Sequence, residues 1–68
     1  MNQEDLAYFI LTLKGLYLHE AKQRVHAEGL RFRVTREDGM DYYGSAEFRK
    51  DRVNVEVGQG RIWDVSIG

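Results

Sequence analysis

The sequence predicts a small α/β domain, one main helix packed on a three-stranded sheet, and three observations carry that prediction. Arg52–Val57 alternates Val53, Val55 and Val57 with Arg52, Asn54 and Glu56, and Leu30–Thr35 alternates Leu30, Phe32 and Val34 with Arg31, Arg33 and Thr35. A period of two is that of strands with one buried face. Leu18, Ala21 and Val25 recur at helical spacing, which puts them on one face of a helix with Lys22, Gln23 and Arg24 off it. Between the two strands, Met40–Lys50 follows neither period and lacks the Ser/Pro-rich composition of a linker. Connections of that length are uncommon in compact domains unless they are functional or disordered, and the aromatic residues and paired charges here favour an ordered, exposed binding loop.

Size and charge narrow the possibilities. With 68 residues, 43% of them hydrophobic, the chain makes a single domain over residues 1–68 with one small core. A domain of this size buries only about 60% of its unfolded surface, so its margin of stability is narrow. The chain has no cysteine and no obvious metal set, so the usual staples of small scaffolds are missing and neither cofactor nor metal is expected. Absence of disulfides suits a reducing compartment. The domain opens with no export signal, which favours the cytoplasm; removal of a leader would make it a secreted protein. A net charge of −1 lacks the basic footprint of a nucleic-acid binder.

Taken in order, Met1–Asp5 is a polar start expected to be mobile. Leu6–Leu13 is the most apolar run, too short to span a membrane and without the flanks of a signal peptide. Leu6, Phe9, Ile10 and Leu13 follow a helical stripe while Phe9, Ile10 and Thr12 suit a strand, so a helical or irregular segment covering the core is expected, with a homodimer contact as the other use of this run. Gly15 breaks it. Tyr17–Glu28 is the main helix, ended by Gly29 in the left-handed region. Its start is weak, because Tyr17 cannot accept first-turn amide protons as Ser or Thr would, a loss of about 1 kcal/mol that Glu20 partly offsets through the helix dipole. His19 and His26 are too far apart to share a metal, since helical ligand pairs come at i, i+4, and both read as solvated.

Arg31, Arg33 and Arg36 read as a solvated sheet face rather than a phosphate stripe, because Glu37, Asp38 and Asp41 follow and no aromatic platform accompanies them. Glu37-Asp38-Gly39 is a turn signal. Gly58-Gln59-Gly60 is a hairpin connection that pairs Arg61–Ile67 antiparallel with Arg52–Val57; with Trp63 in the third glycine position and no helix following, it is not a dinucleotide loop. Trp63, Val65 and Ile67 share one face and Ile62 falls on the other, so this strand starts late or a bulge adjusts its parity. The predicted core sets Leu18, Ala21 and Val25 against Phe32, Val34, Val53, Val55 and Val65. Leu30–Thr35 and Arg52–Val57 are either parallel, with Arg36–Asp51 as their crossover, or antiparallel about a wide loop; the span is long enough for the crossover that parallel neighbours need.

The segment Gly44-Ser45-Ala46-Glu47-Phe48-Arg49-Lys50-Asp51-Arg52-Val53 resembles the reactive-site segment of the potato inhibitor I family, the eglin-like serine protease inhibitors. There a Thr, a variable specificity residue, an acid, an aromatic, Arg, any residue, Asp, Arg and an aliphatic residue follow one another. Gly15–Val25 is similar to the family's helix, and Val53-Asn54-Val55 with Gly60-Arg61-Ile62 through Val65, Ile67 and Gly68 looks closer still to a short bacterial and fungal elastase-inhibitor branch. The resemblance implies that the two strands are parallel and that the exposed loop over residues 40–50 crosses between them. It implies a reactive-site loop of Gly44, Ser45, Ala46, Glu47, Phe48 and Arg49. Arg52 would rise from the strand beneath and donate to Glu47 and to loop carbonyls through the rigid fork of its guanidinium, with Asp51, Arg49 and Asn54 as secondary supports. Ala46 takes the specificity position and the scissile bond lies between Ala46 and Glu47. So small a side chain suits an elastase-like or subtilisin-like enzyme and not a trypsin. Phe48 would fill a pocket on the enzyme or pin the loop to the core.

Three features depart from the family. Asn54 replaces a second bracing arginine, Lys50 replaces a Pro or aliphatic residue, and Asp41-Tyr42-Tyr43-Gly44 is bulky and then permissive where aliphatic residues are usual. The function expected is substrate-like inhibition of a serine protease: a loop already held extended avoids much of the ordering cost of binding, and tethering at both ends favours religation after cleavage, so affinity resides in slow dissociation. The alternative is a noninhibitory protein-interaction module on the same fold, monomeric or homodimeric, with Tyr42, Tyr43 and Phe48 as anchors. No enzymatic activity is expected, because both histidines lie on the helix away from Ser45 and no carboxylate pair is placed for acid/base work. Neither nucleic acid nor membrane is expected as a partner.

Overall fold

Val53, Val55 and Val57, the apolar half of one alternating run, are all buried and mark the centre of the fold. The computed structural model describes residues 1–42, 44 and 46–68. Its elements in chain order are helix α1 (Gln3–Leu11), helix α2 (Leu18–Ala27) and strands β1 (Arg31–Glu37), β2 (Met40–Asp41), β3 (Arg52–Gly58) and β4 (Arg61–Ile67). The strands form one mixed sheet in the order β2-β1-β3-β4. β1 and β3 are parallel, in register from Arg31 opposite Arg52 to Glu37 opposite Val57. The long loop is therefore a crossover between parallel neighbours, and the antiparallel alternative is excluded.

Two elements exceed the expected single helix and three strands. The first is α1, which starts at Gln3, inside the stretch read as a polar, mobile start. The Asn2 side chain accepts the amide proton of Asp5 at 2.8 Å and caps it, and Glu4 and Asp5 in the first turn complement its dipole. Phe9 and Ile10 pack on the core, and the turn after the helix drops Leu13 fully into it. The second is β2. Asp38 and Gly39 both take positive φ, 51° and 83°, the conformation of a tight two-residue hairpin turn, so Met40 and Asp41 fold back onto Glu37 and Arg36.

The centre of the core also differs from the predicted set. Leu13, Val57 and Ile62 join Ala21, Val25, Val53 and Val55 at full burial, while Leu18, Phe32, Val34 and Val65 pack around them as partly buried neighbours. Ile62 enters because the ladder between β3 and β4 shifts by one residue: Glu56 pairs with Asp64, but Val57 pairs with Ile62. The extra residue is Trp63, which the bulge turns outward. Of the two parity solutions the chain uses the bulge, and Trp63 leaves the core face on which simple alternation put it.

The segment between the helices runs along the outer edge of β4. Gly15 N–H donates to the Ile62 carbonyl at 2.7 Å, Ile62 N–H to Leu16 at 2.8 Å and Leu18 N–H to Gly60 at 2.9 Å. Tyr17 precedes α2 without a side-chain capping bond, as expected. Its ring has another use: Arg61 donates to the hydroxyl at 2.9 Å and lies 4.3 Å from the ring centroid, tying the helix start to β4.

Candidate functional site

The crossover runs from the end of β2 to the start of β3, the parallel neighbour of β1. The loop leaves β2 at Tyr42, whose amide donates to the Thr35 carbonyl at 2.9 Å and whose hydroxyl donates to the Glu37 carboxylate. That hydrogen bond, with some desolvation, raises the phenol above its ordinary value. Beyond it Gly44, Ala46, Glu47 and Phe48 are exposed and belong to no helix or strand. Ser45 and Tyr43, both singled out from the sequence, lie outside the described residues.

Arg52, the first residue of β3, reaches up under this segment. Its Nη2 donates to the Glu47 carbonyl at 2.6 Å and to the Gly68 carbonyl at 2.6 Å, and its Nε donates to Gly68 at 3.1 Å. The guanidinium therefore ties the exposed peptide, through the backbone carbonyl of Glu47, to the end of β4. Partial desolvation under the loop, then the like charges of Arg33 and Arg49, pulls Arg52 below the usual arginine range. It stays cationic, because an arginine does not deprotonate in this setting.

Gly68 completes the brace. Its amide donates to the Arg52 carbonyl at 3.0 Å, and its own carbonyl also accepts from the Arg49 amide at 3.2 Å. A Cβ at this position would meet the Asn54 amide nitrogen at 3.0 Å and the Phe48 ring at 3.6 Å, so glycine lets strand and loop approach closely. Asn54, expected only to thin the support, accepts from Arg33 Nε at 2.9 Å. A Cβ on Gly44 would lie 3.4 Å from Arg33 Nη1. An arginine thus does lie beneath the amino-terminal half of the loop, but it comes from β1. Sequence reading placed Arg33 on a solvated face; what brings it beside Asn54 is the parallel register, a feature of the structure that the sequence does not signal.

Asp51 knots the other end. Its backbone carbonyl accepts from Arg31 N–H at 2.7 Å, and its carboxylate accepts from Arg49 Nε at 3.2 Å and Arg31 Nε at 3.3 Å. The Arg49 hydrogen bond, working against desolvation, holds the Asp51 carboxyl below its ordinary 3.8. A carboxyl with a depressed folded value adds stability that is complete above its unfolded value and lost as pH falls through the folded one. Urea midpoints are therefore expected to drop below pH 3.8 partly through this group. Asp51→Asn should be less stable than wild type near neutral pH and should converge with it in acid; parallel curves would show that the ion pair adds nothing.

Comparison of the chain with family models, with curated proteins and with solved structures finds no match. The site's chemistry is therefore read from its own residues. Both histidines lie on α2, and among the described residues no group of three His, Asp or Glu side chains is placed to hold a metal ion. Phe48 is 69% exposed and stands out from the surface beside Gly68.

Proposed function

We propose that the chain is a substrate-like inhibitor of serine proteases, of the kind found in the potato inhibitor I family that its sequence resembles. The observation that carries this reading is the Arg52 fork, which joins the carbonyl of Glu47 in an exposed crossover to the end of β4. A protease accepts its substrate as an extended strand, and a segment anchored through its backbone in advance loses less freedom on docking than a free peptide. Supports on both sides, Tyr42 before Ala46, and Arg52, Arg49 and Asp51 after it, hold the two ends together if the Ala46–Glu47 bond is cut. The new amine then stays beside the acyl-enzyme, and religation competes with hydrolysis. Ala46 in the specificity position directs the loop to enzymes with shallow pockets.

Titration of subtilisin and elastase with the purified chain tests this. Inhibition of one or both is expected, with little effect on trypsin. Ala46→Leu should shift the preference towards chymotrypsin by tenfold or more, a change of at least about 1.4 kcal/mol in relative affinity. Flat titrations against the whole panel, with the fold intact by circular dichroism, would remove the inhibitor reading. The exposed aromatics Phe48 and Tyr42 would then favour the noninhibitory interaction module.

A further inference from the structure

Asn54 stands where the supports of the loop cross. It lies on β3, between β1 and β4, with Arg33 opposite it on one side and Ser66 on the other. Its Oδ1 accepts from Arg33 Nε at 2.9 Å. From there the Arg33 arm runs along Gly44: the three heavy atoms nearest to a Cβ at that position are its Nη1 at 3.4 Å and its Cδ and Cζ at 3.9 Å. The other end of the Asn54 amide faces Gly68, where a Cβ would come within 3.0 Å of Nδ2, and the Gly68 carbonyl accepts from both Nε and Nη2 of Arg52. We propose that Asn54 is a positioning residue for the loop: it fixes Arg33 beneath Gly44 and links it through Gly68 to the Arg52 fork, so that the segments before and after the Ala46–Glu47 bond rest on one connected unit.

An amide has the chemistry this place requires. Desolvation first, and then the charge of Arg33, pull Arg52 below the usual arginine range, so the two cations feel one another. A third cation at position 54 would add to that repulsion, whereas a side-chain amide offers Arg33 an acceptor and brings no charge of its own. A hydrogen bond with one charged partner is worth more than a neutral one, enough to hold a long, rotatable side chain in one place. Among the described residues the Asn54 side chain bonds to Arg33 and to no atom of the loop, so its influence on the loop passes through Arg33 and Gly68. The consequence for inhibition rests on the inhibitor reading; the consequence for loop order does not.

Backbone ¹⁵N relaxation at the Gly44 amide reads this unit without an enzyme. The order parameter is expected near the rigid value of about 0.85 in wild type and below about 0.6 in both Asn54→Ala and Arg33→Ala. The double variant R33A/N54A should be no looser than R33A, because both substitutions break the same bond. Arg52→Ala, on the far side of Ala46–Glu47, should lower Gly44 to about 0.7 while Asn54 is in place. Circular dichroism checks that each variant is folded. Digestion by subtilisin should run roughly tenfold faster for each single variant than for wild type, with the double within about threefold of the singles. A Gly44 that keeps its order without Asn54 or without Arg52, or single effects that multiply in the double, overturns the proposal. Flat protease titrations of a wild type whose Gly44 follows the expected pattern remove the inhibitor reading and leave the connected unit standing; inhibition by a chain whose Gly44 ignores Asn54 does the reverse.

Discussion

Arg52→Ala is expected to turn the proposed inhibitor into an ordinary substrate, raising the rate at which subtilisin cuts the loop on the order of 100-fold. The expectation follows from the number and kind of bonds lost. One side chain donates to the carbonyls of Glu47 and Gly68 together, and charge-assisted bonds of this sort are the stronger class. Among the described residues Arg52 is the β3 side chain that bonds to the backbone of Ala46–Phe48, so its removal leaves the peptide freer to depart from the enzyme's cleft after the first cut. Arg52→Lys keeps the charge but not the fork, so it should fall between the two. Mass spectrometry of timed digests gives the rate directly. Global stability should change little, because Arg52 lies at the sheet's end while Val53, Val55 and Val57 carry the core.

The largest effect on stability is expected at Ile62. Truncation to alanine removes a side chain that is 1% exposed, and its backbone is held on both sides by Gly15 and Leu16, so the site cannot collapse around the void. A loss of about 3–4 kcal/mol is expected, within the range for such truncations. A domain of this size has about 3–10 kcal/mol in all, so the variant should be partly unfolded near room temperature. Its neighbour is the control: Trp63 is larger but 68% exposed, and Trp63→Ala should change stability by less than about 0.5 kcal/mol. Urea unfolding of the two variants measures both values. The reverse ranking, with Trp63 costly and Ile62 tolerant, would mean that β4 alternates without its bulge.

These two residues also show where sequence reading stops. Alternation identified β3 and β1, and Gly29 and Tyr17 marked the ends of α2, because each signal is local. The bulge is not local: whether Ile62 or Trp63 faces inward depends on the hydrogen bonds that Gly15 and Leu16 make to Ile62, and these come from the far end of the chain. β2 went unread because two residues carry no period; only the Asp38-Gly39 turn signalled it. Within the loop, the Arg52 brace was legible through a family resemblance. The contributions of Arg33 and Gly68 depend on parallel register and on strand ends meeting, which no spacing along the chain encodes. α1 was ambiguous for a related reason, since an apolar run at the surface of a small core satisfies a helix and a strand pattern equally.

Stiffness of the loop is the property on which the functional account depends, and backbone ¹⁵N relaxation measures it without reference to any enzyme. In wild type, order parameters for Ala46–Arg49 are expected to approach the value of about 0.85 found for rigid backbone, and in Arg52→Ala to fall below about 0.6. Values already below about 0.6 in wild type, or a loop that stays rigid once Arg52 is removed, would contradict the account.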